Sequence, residues 1–187
     1  MHTSFHGLSF VSDPGRVFTP RPTTERLVDV ALARIRDNAA RVADVGTGSG
    51  AVAVTLALRA PHIEVWASDS CRRALALAQT NAARLSAQVH LVHGDLLDGL
   101  PHDLDLIVAN LPYLPPDAPG YDDEPAQAVR STGDGLDHYR RLLAASADHL
   151  VEDGGVIIQV PGEVLEAERS ELPWLRSRLE SLATAAA

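Results

Sequence analysis

Two stretches of the sequence place chemically capable residues at short, fixed spacing. In "DVGTGSG", Asp44 to Gly50, glycines 46, 48 and 50 permit sharp backbone turns and close approach to a ligand, and Thr47 and Ser49 add hydroxyls between them. The stretch ends an apolar run and opens a helical pattern, whose first N–H groups lack intrahelical partners. Roughly 20 residues beyond the loop, "VWASDS" closes on Asp69, where a carboxylate can accept both hydroxyls of a ribose. A tight strand-to-helix turn would also account for the glycines, and a helix N-cap for Asp69. In combination, loop and acid favour an adenosine-type ligand. The second stretch is "DLIVANLPYLPP", Asp105 to Pro116, an apolar run that stops at Asn110 and passes into prolines on either side of Tyr113. Pro112 confines Leu111 to extended backbone, and Tyr113 offers a flat ring. Alone, the stretch fits equally a buried strand that runs out into a rigid loop.

The elements that must position these residues follow from apolar spacing. "RVADVG", "IEVWASD", "AQVHLVHGD", "LDLIVAN" and "GGVIIQV" read as strands. Between them the spacing predicts helices over 51–59, 71–85 and 136–151. Ahead of them, "TTERLVDVALARIRD" predicts a helix over 23–37 with Thr23 and Thr24 as caps. "GLSFVSDPGRVF" reads as a hairpin turning at Asp13-Pro14-Gly15. Alternating strands and helices imply an α/β fold with an open, mostly parallel sheet covered on both faces, with ligands at the carboxyl ends of the strands. The 187 residues, 45% hydrophobic, suit a single domain over 1–187, with a hairpin or lid segment over 1–20 and a helical tail over 161–187.

Composition excludes several classes. With 25 acidic against 16 basic residues, a formal charge of −9 and no Lys/Arg cluster, the chain is a poor candidate for nucleic acid, whose affinity comes from basic side chains. The single Cys71 rules out an internal disulfide, and no Cys/His pair has zinc spacing, so no metal site is expected. His90 and His93, three apart on a strand, face opposite ways and read as surface or satisfied histidines. The expected location is cytoplasmic, since neither a signal-peptide pattern nor a membrane-length apolar run is found.

With Asp44 ahead of it and its G-x-G-x-G spacing, "DVGTGSGAVAVTLA" resembles the first motif of class I S-adenosylmethionine-dependent methyltransferases, which have a Rossmann-like fold. The resemblance implies S-adenosyl-L-methionine as cofactor. It assigns the methionine part to the loop from Asp44 through Gly46, Thr47, Gly48, Ser49 and Gly50, the ribose to Asp69, and the adenine to Asp95 with Leu96 in "HGDLLDGLP". The loop's lack of a Lys or Arg agrees, because no pyrophosphate needs neutralising. "NLPY" is similar to the Asn-Pro-Pro-Tyr signature of methyltransferases that act on amides or exocyclic amines. That similarity makes Asn110, Leu111, Pro112 and Tyr113 the catalytic candidates, with Asn110 also beside the cofactor. The Asn110 side-chain oxygen and the backbone carbonyl of Leu111 would take the two hydrogens of an NH₂ group, hold its nitrogen in line with the methyl and stabilise the growing charge, while Tyr113 stacks on the substrate.

"FTPRPTTERLV" (Phe18 to Val28), "NLPYLPP", "EPAQAV" (Glu124 to Val129) and "GDGLDHYRRLL" (Gly133 to Leu143) stand in the order and at about the spacing of the HemK-like protein-(glutamine-N5) methyltransferases, which modify the Gly-Gly-Gln loop of release factors. Leu136, Tyr139, Leu143 and Leu150 also form an apolar stripe, so much of the last motif serves the core. Departures from the family are Leu111 for the first signature proline, "IIQVPG" for Glu-Gly, a sequence that starts almost at "FTPRP" where the family has a helical domain, and a sheet that reads as truncated after Val160. The expected acceptor is a protein glutamine or a small molecule, and a homo-oligomer completing the sheet stays open. Rival readings are an adenine-N6 RNA or DNA methyltransferase, which shares "NLPY" but calls for basic surface, and a non-catalytic cofactor-binding module. "DAPGYDDEP", Asp117 to Pro125, fits either a flap over the substrate or a solvated loop.

Overall fold

The computed structural model describes residues 1–35 and 40–186. In chain order the elements are β1 (His2–Phe5), β2 (Leu8–Val11), α1 (Pro22–Arg34), β3 (Arg41–Val45), α2 (Ala51–Arg59), β4 (Glu64–Asp69), α3 (Arg72–Leu85), β5 (His90–His93), β6 (Leu104–Ala109), α4 (Ala126–Val129), α5 (Asp137–His149), β7 (Leu150–Val160), β8 (Glu163–Glu168), a single 3₁₀ turn and α6 (Leu172–Ala186). Part of the helix end expected at 36–37 lies outside the described residues.

The main sheet has the order β5-β4-β3-β6-β7-β8; all neighbours are parallel except β7 and β8, which run antiparallel. Each central strand is apolar on both faces because helices cover both. Val42, Val65, Leu106, Val108 and Ile157 pack with α1, α2 and α3, whereas Ala43, Val45, Ile107, Ala109, Val156 and Ile158 pack with α5 and α6. The strand order reverses between β3 and β6, which opens a crevice at their carboxyl ends. Both stretches with chemical capability end there.

Three expectations need correction. The hairpin turns at His6-Gly7, both with positive φ (49° and 75°), and not at Asp13-Pro14-Gly15. A two-residue hairpin turn of this kind needs positive φ at both centres, and proline's ring forbids that at Pro14. Asp13-Pro14-Gly15 instead makes the next turn, with the Arg16 and Val17 N–H groups on the Asp13 carbonyl at 3.1 and 3.0 Å. Thr23 and Thr24 lie inside α1, whose N-cap is Arg21 without a side-chain cap bond; Pro22 starts the helix, its fixed φ suiting that position. Finally, the tail is not wholly helical. "EVLEAE" forms β8, alternating Leu165 and Ala167 into the core with Glu166 and Glu168 outward, and closes the sheet with one antiparallel strand. α6 then buries Leu172, Leu175 and Leu179 on the α5 face.

Candidate active site

A cavity of about 190 Å³ occupies the crevice, lined by residues of the glycine loop, Asp69, Asp95, Leu96, Asn110 to Leu114, the nearby segment 121–129, and residues of 16–24 from far earlier in the chain. The loop leaves β3 with the Gly46 and Thr47 N–H groups both on the Ser68 carbonyl at 2.9 Å, which ties it to the end of β4. Gly46 has φ +74°, left-handed backbone that favours glycine, and a Cβ there would push on the end of the Leu111 side chain, Cδ2, at 2.7 Å, so the loop lies close against the "NLPY" segment. Asp44, 2% exposed, braces the loop by accepting from Thr47 Oγ1 at 2.6 Å and Ala53 N at 3.1 Å. Burial pushes its carboxyl up to about 6, against those two bonds.

Asp69 is not the N-cap of α3, which is Cys71 without a side-chain cap bond; it braces the start of that helix and the glycine loop instead. Oδ1 accepts from Cys71 N at the start of α3 and Oδ2 from Gly48 N, each at 2.8 Å. Burial raises its carboxyl, those backbone bonds oppose the rise, and lone pairs remain for two hydroxyls. Asp95 stands exposed at the rim, paired with Arg141. Leu96 adopts φ 52°, a conformation leucine seldom takes, and its carbonyl accepts from Ser68 Oγ at 2.6 Å.

At the end of β6, Asn110 Nδ2 donates to Thr24 Oγ1 at 3.1 Å, which leaves Oδ1 without a hydrogen-bond partner among the described residues. Thr24 is buried in the first turn of α1, so a residue read as a cap instead orients the asparagine. Leu111, 4% exposed, donates its N–H to Tyr139 Oη at 3.0 Å, and its carbonyl lies 3.2 Å from the same hydroxyl. Tyr113 lines the cavity, its phenol pushed up to about 12 by burial and by Tyr121. Gly135, at φ +92°, lets the "GDG" turn press on this segment, since a Cβ would meet the Tyr113 carbonyl at 2.2 Å. That contact gives part of the fourth motif a role beyond core packing.

The segment expected as flap or loop is folded against the cavity. Leu114 N donates to Val129 O at 2.9 Å and Ser131 N to Leu114 O at 2.8 Å, so 114 and 130 close a loop. Arg130 holds its interior through the Ala118 carbonyl at 2.5 Å. Glu124, its side chain 4% exposed, accepts from Thr19 N and from Arg21 Nη2, both at 3.1 Å, and the Arg21 guanidinium lies 4.5 Å from the centre of the Tyr121 ring. Sequence reasoning also missed Asn81. Fully buried on α3, it bonds both the N–H and the carbonyl of Val11 (2.7 and 3.0 Å) and the Ser49 carbonyl (2.9 Å), joining hairpin, helix and glycine loop. A buried asparagine on an otherwise apolar helix face was the available signal. His90 and His93 are both exposed, His90 stacked on Trp66, and no metal-binding group of three or more His, Cys, Asp or Glu occurs among the described residues.

The family model of the methyltransferase small domain matches residues 11–122. The release factor glutamine methyltransferase of Geobacter sulfurreducens is 40% identical over 165 residues, covering 83% of this chain and 57% of the relative. That of Deinococcus radiodurans is 42% identical over 177 residues, covering 90% and 63%. The chain thus spans about three fifths of the length of these curated relatives. Among solved structures, a methyltransferase from Pyrococcus furiosus superposes with TM-score 0.62 at 20% identity, over 86% of this chain and 73% of that one, and shares its fold. The HemK-like resemblance of the sequence agrees with the names of the two relatives, and the sheet order with the class I methyltransferase fold. Taken with the glycine loop and the acid at the end of β4, these matches establish that the chain belongs to the methyltransferase small domain family.

Proposed function

We propose that the chain is the catalytic part of an S-adenosylmethionine-dependent N-methyltransferase whose acceptor is the side-chain amide of a protein glutamine. The observation that carries it is the orientation of Asn110, whose NH₂ is committed to Thr24 and whose oxygen is left to accept, beside the carbonyl of Leu111. Such a pair matches the two hydrogens of a planar NH₂ group, and the release factor glutamine methyltransferases at about 40% identity support the amide over an amine.

The residues present fit the cofactor. Asp44 is a buried carboxylate with no cation paired to it among the described residues, Asp69 has lone pairs for ribose hydroxyls, Leu96 supplies an apolar wall, and no cationic side chain lies within the loop. When bound, S-adenosylmethionine supplies an activated methyl group. The chain's part is positional and electrostatic. Asn110 and Leu111 fix the amide nitrogen through its hydrogens and draw its developing positive charge toward two oxygens, Tyr113 covers the flat group, and the 114–130 loop limits water. No helix of the described residues is long and apolar enough to cross a membrane. A cytoplasmic location, where translation terminates, belongs to the same proposal.

Incubation with methyl-labelled cofactor and, separately, a bacterial release factor, a Gly-Gly-Gln peptide and ribosomal RNA tests this. Label on the glutamine of the release factor or peptide is expected. Label on RNA alone would replace the reading by the adenine alternative, and cofactor binding without transfer to any of the three would mark a binding module.

A further inference from the structure

Leu111 stands where the Asn-Pro-Pro-Tyr signature has its first proline, and the exchange restores a backbone N–H at that position. A proline ring fixes φ, whereas leucine ahead of Pro112 is held only to the broad extended region, so the peptide that carries the acceptor carbonyl gains from another restraint. Tyr139, in the first turn of α5 and 0% exposed, is placed to give it. Its hydroxyl receives the Leu111 N–H at 3.0 Å, lies 3.2 Å from the Leu111 carbonyl, and donates to the carbonyl of Gln159 near the end of β7. A hydroxyl has one proton and two lone pairs. The proton goes to Gln159, the nearer carbonyl, and the Leu111 carbonyl keeps its lone pairs for an acceptor N–H. Ala109 pairs with Ile158, so the phenol joins the two chains just past the last paired rung of β6 and β7, at Leu111 two residues beyond it and at Gln159 one residue beyond it.

We propose that Tyr139 is a positioning residue for methyl transfer, tethering the Leu111 peptide in place of the missing proline. The inference rests on the reading above, in which the Leu111 carbonyl receives one hydrogen of the acceptor. It goes beyond core packing, because a merely structural phenol would be indifferent to which residue occupies 111.

Tyr139→Phe, Leu111→Pro and the double variant test it, assayed for methyl transfer to a bacterial release factor and to a Gly-Gly-Gln peptide, with cofactor affinity measured by calorimetry. Tyr139→Phe is expected to lower kcat roughly 30-fold while KM and cofactor Kd move less than about 3-fold, as befits a group acting through orientation. Adding Leu111→Pro should bring the double variant within about 5-fold of Leu111→Pro alone, because proline has no N–H to orphan and supplies its own restraint. Parent-like turnover in Tyr139→Phe, or losses that multiply in the double variant, would overturn the proposal. Should Tyr139→Phe not fold, the comparison of the double variant with Leu111→Pro decides alone, equal turnover supporting the tether and a further drop opposing it. If the parent methylates neither acceptor, the functional reading fails. The tether is then decided by amide hydrogen exchange, with protection at Leu111 lost in Tyr139→Phe if it exists and unchanged if it does not.

Discussion

Asp44 shows how one buried carboxylate shapes a site and exposes it to pH. Its folded value, about 6, lies above the ordinary 3.8, so the folded state holds the proton more tightly than the unfolded chain does. The stabilisation from the protonated form is complete below about pH 4, is lost as pH rises through 6, and amounts to about 3 kcal/mol. Urea denaturation of the cofactor-free protein between pH 4 and 7 should show this decline in the parent minus Asp44→Asn difference, because the variant lacks the titrating carboxyl. Asn110→Ala removes an acceptor needed most as charge develops, so kcat should fall roughly 10²-fold, about 3 kcal/mol, with much less change in cofactor affinity. Thr24→Val lets the same amide swivel and should cost roughly 10-fold in kcat in the same assay. Asp69→Ala should instead weaken cofactor binding by about 1.5–3 kcal/mol in calorimetry.

Elements explain which of these residues were visible beforehand. The glycine loop, Asp69 and the α2 and α3 helices were legible because each depends on neighbours within a few residues, and α2 matches its expected span of 51–59. Thr24, Asn81 and Tyr139 were not. Their partners lie 86, 70 and 28 residues away, and only the sheet order brings them together. β8 escaped notice because six residues, half of them glutamate, alternate too briefly to outweigh a helical reading. At the 114–130 loop, two sequence-distant segments meet in the pairing of Arg21 with Glu124 and the face of Tyr121. Glu124→Ala should release this latch, read as faster hydrogen exchange or proteolysis across 117–125, by roughly 10-fold or more. Unchanged protection would show that Arg130 and the Leu114 backbone bonds hold the loop without this pairing.

Across the whole molecule, the expected tail proves to be part of the core. Leu175 is fully buried against the α5 face, and Leu175→Ala should destabilise the fold by about 2–5 kcal/mol in denaturant titration, although it lies far from the cavity. The single closing strand has a further consequence. β8 is an edge, and an edge presents unpaired backbone groups to any other copy. It carries Glu163, Glu166 and Glu168, with Arg34 holding the last two and Arg178 the first, in a chain whose net charge is −9. On this edge three carboxylates share two arginines in a chain of net charge −9, and this excess of like charge is expected to oppose its extension by a second copy. Screening should expose the difference. Sedimentation at about 1 M salt, where the Debye length falls to about 3 Å, is expected to reveal self-association absent at about 0.05 M, and Glu166→Lys with Glu168→Lys is expected to shift its onset to lower salt.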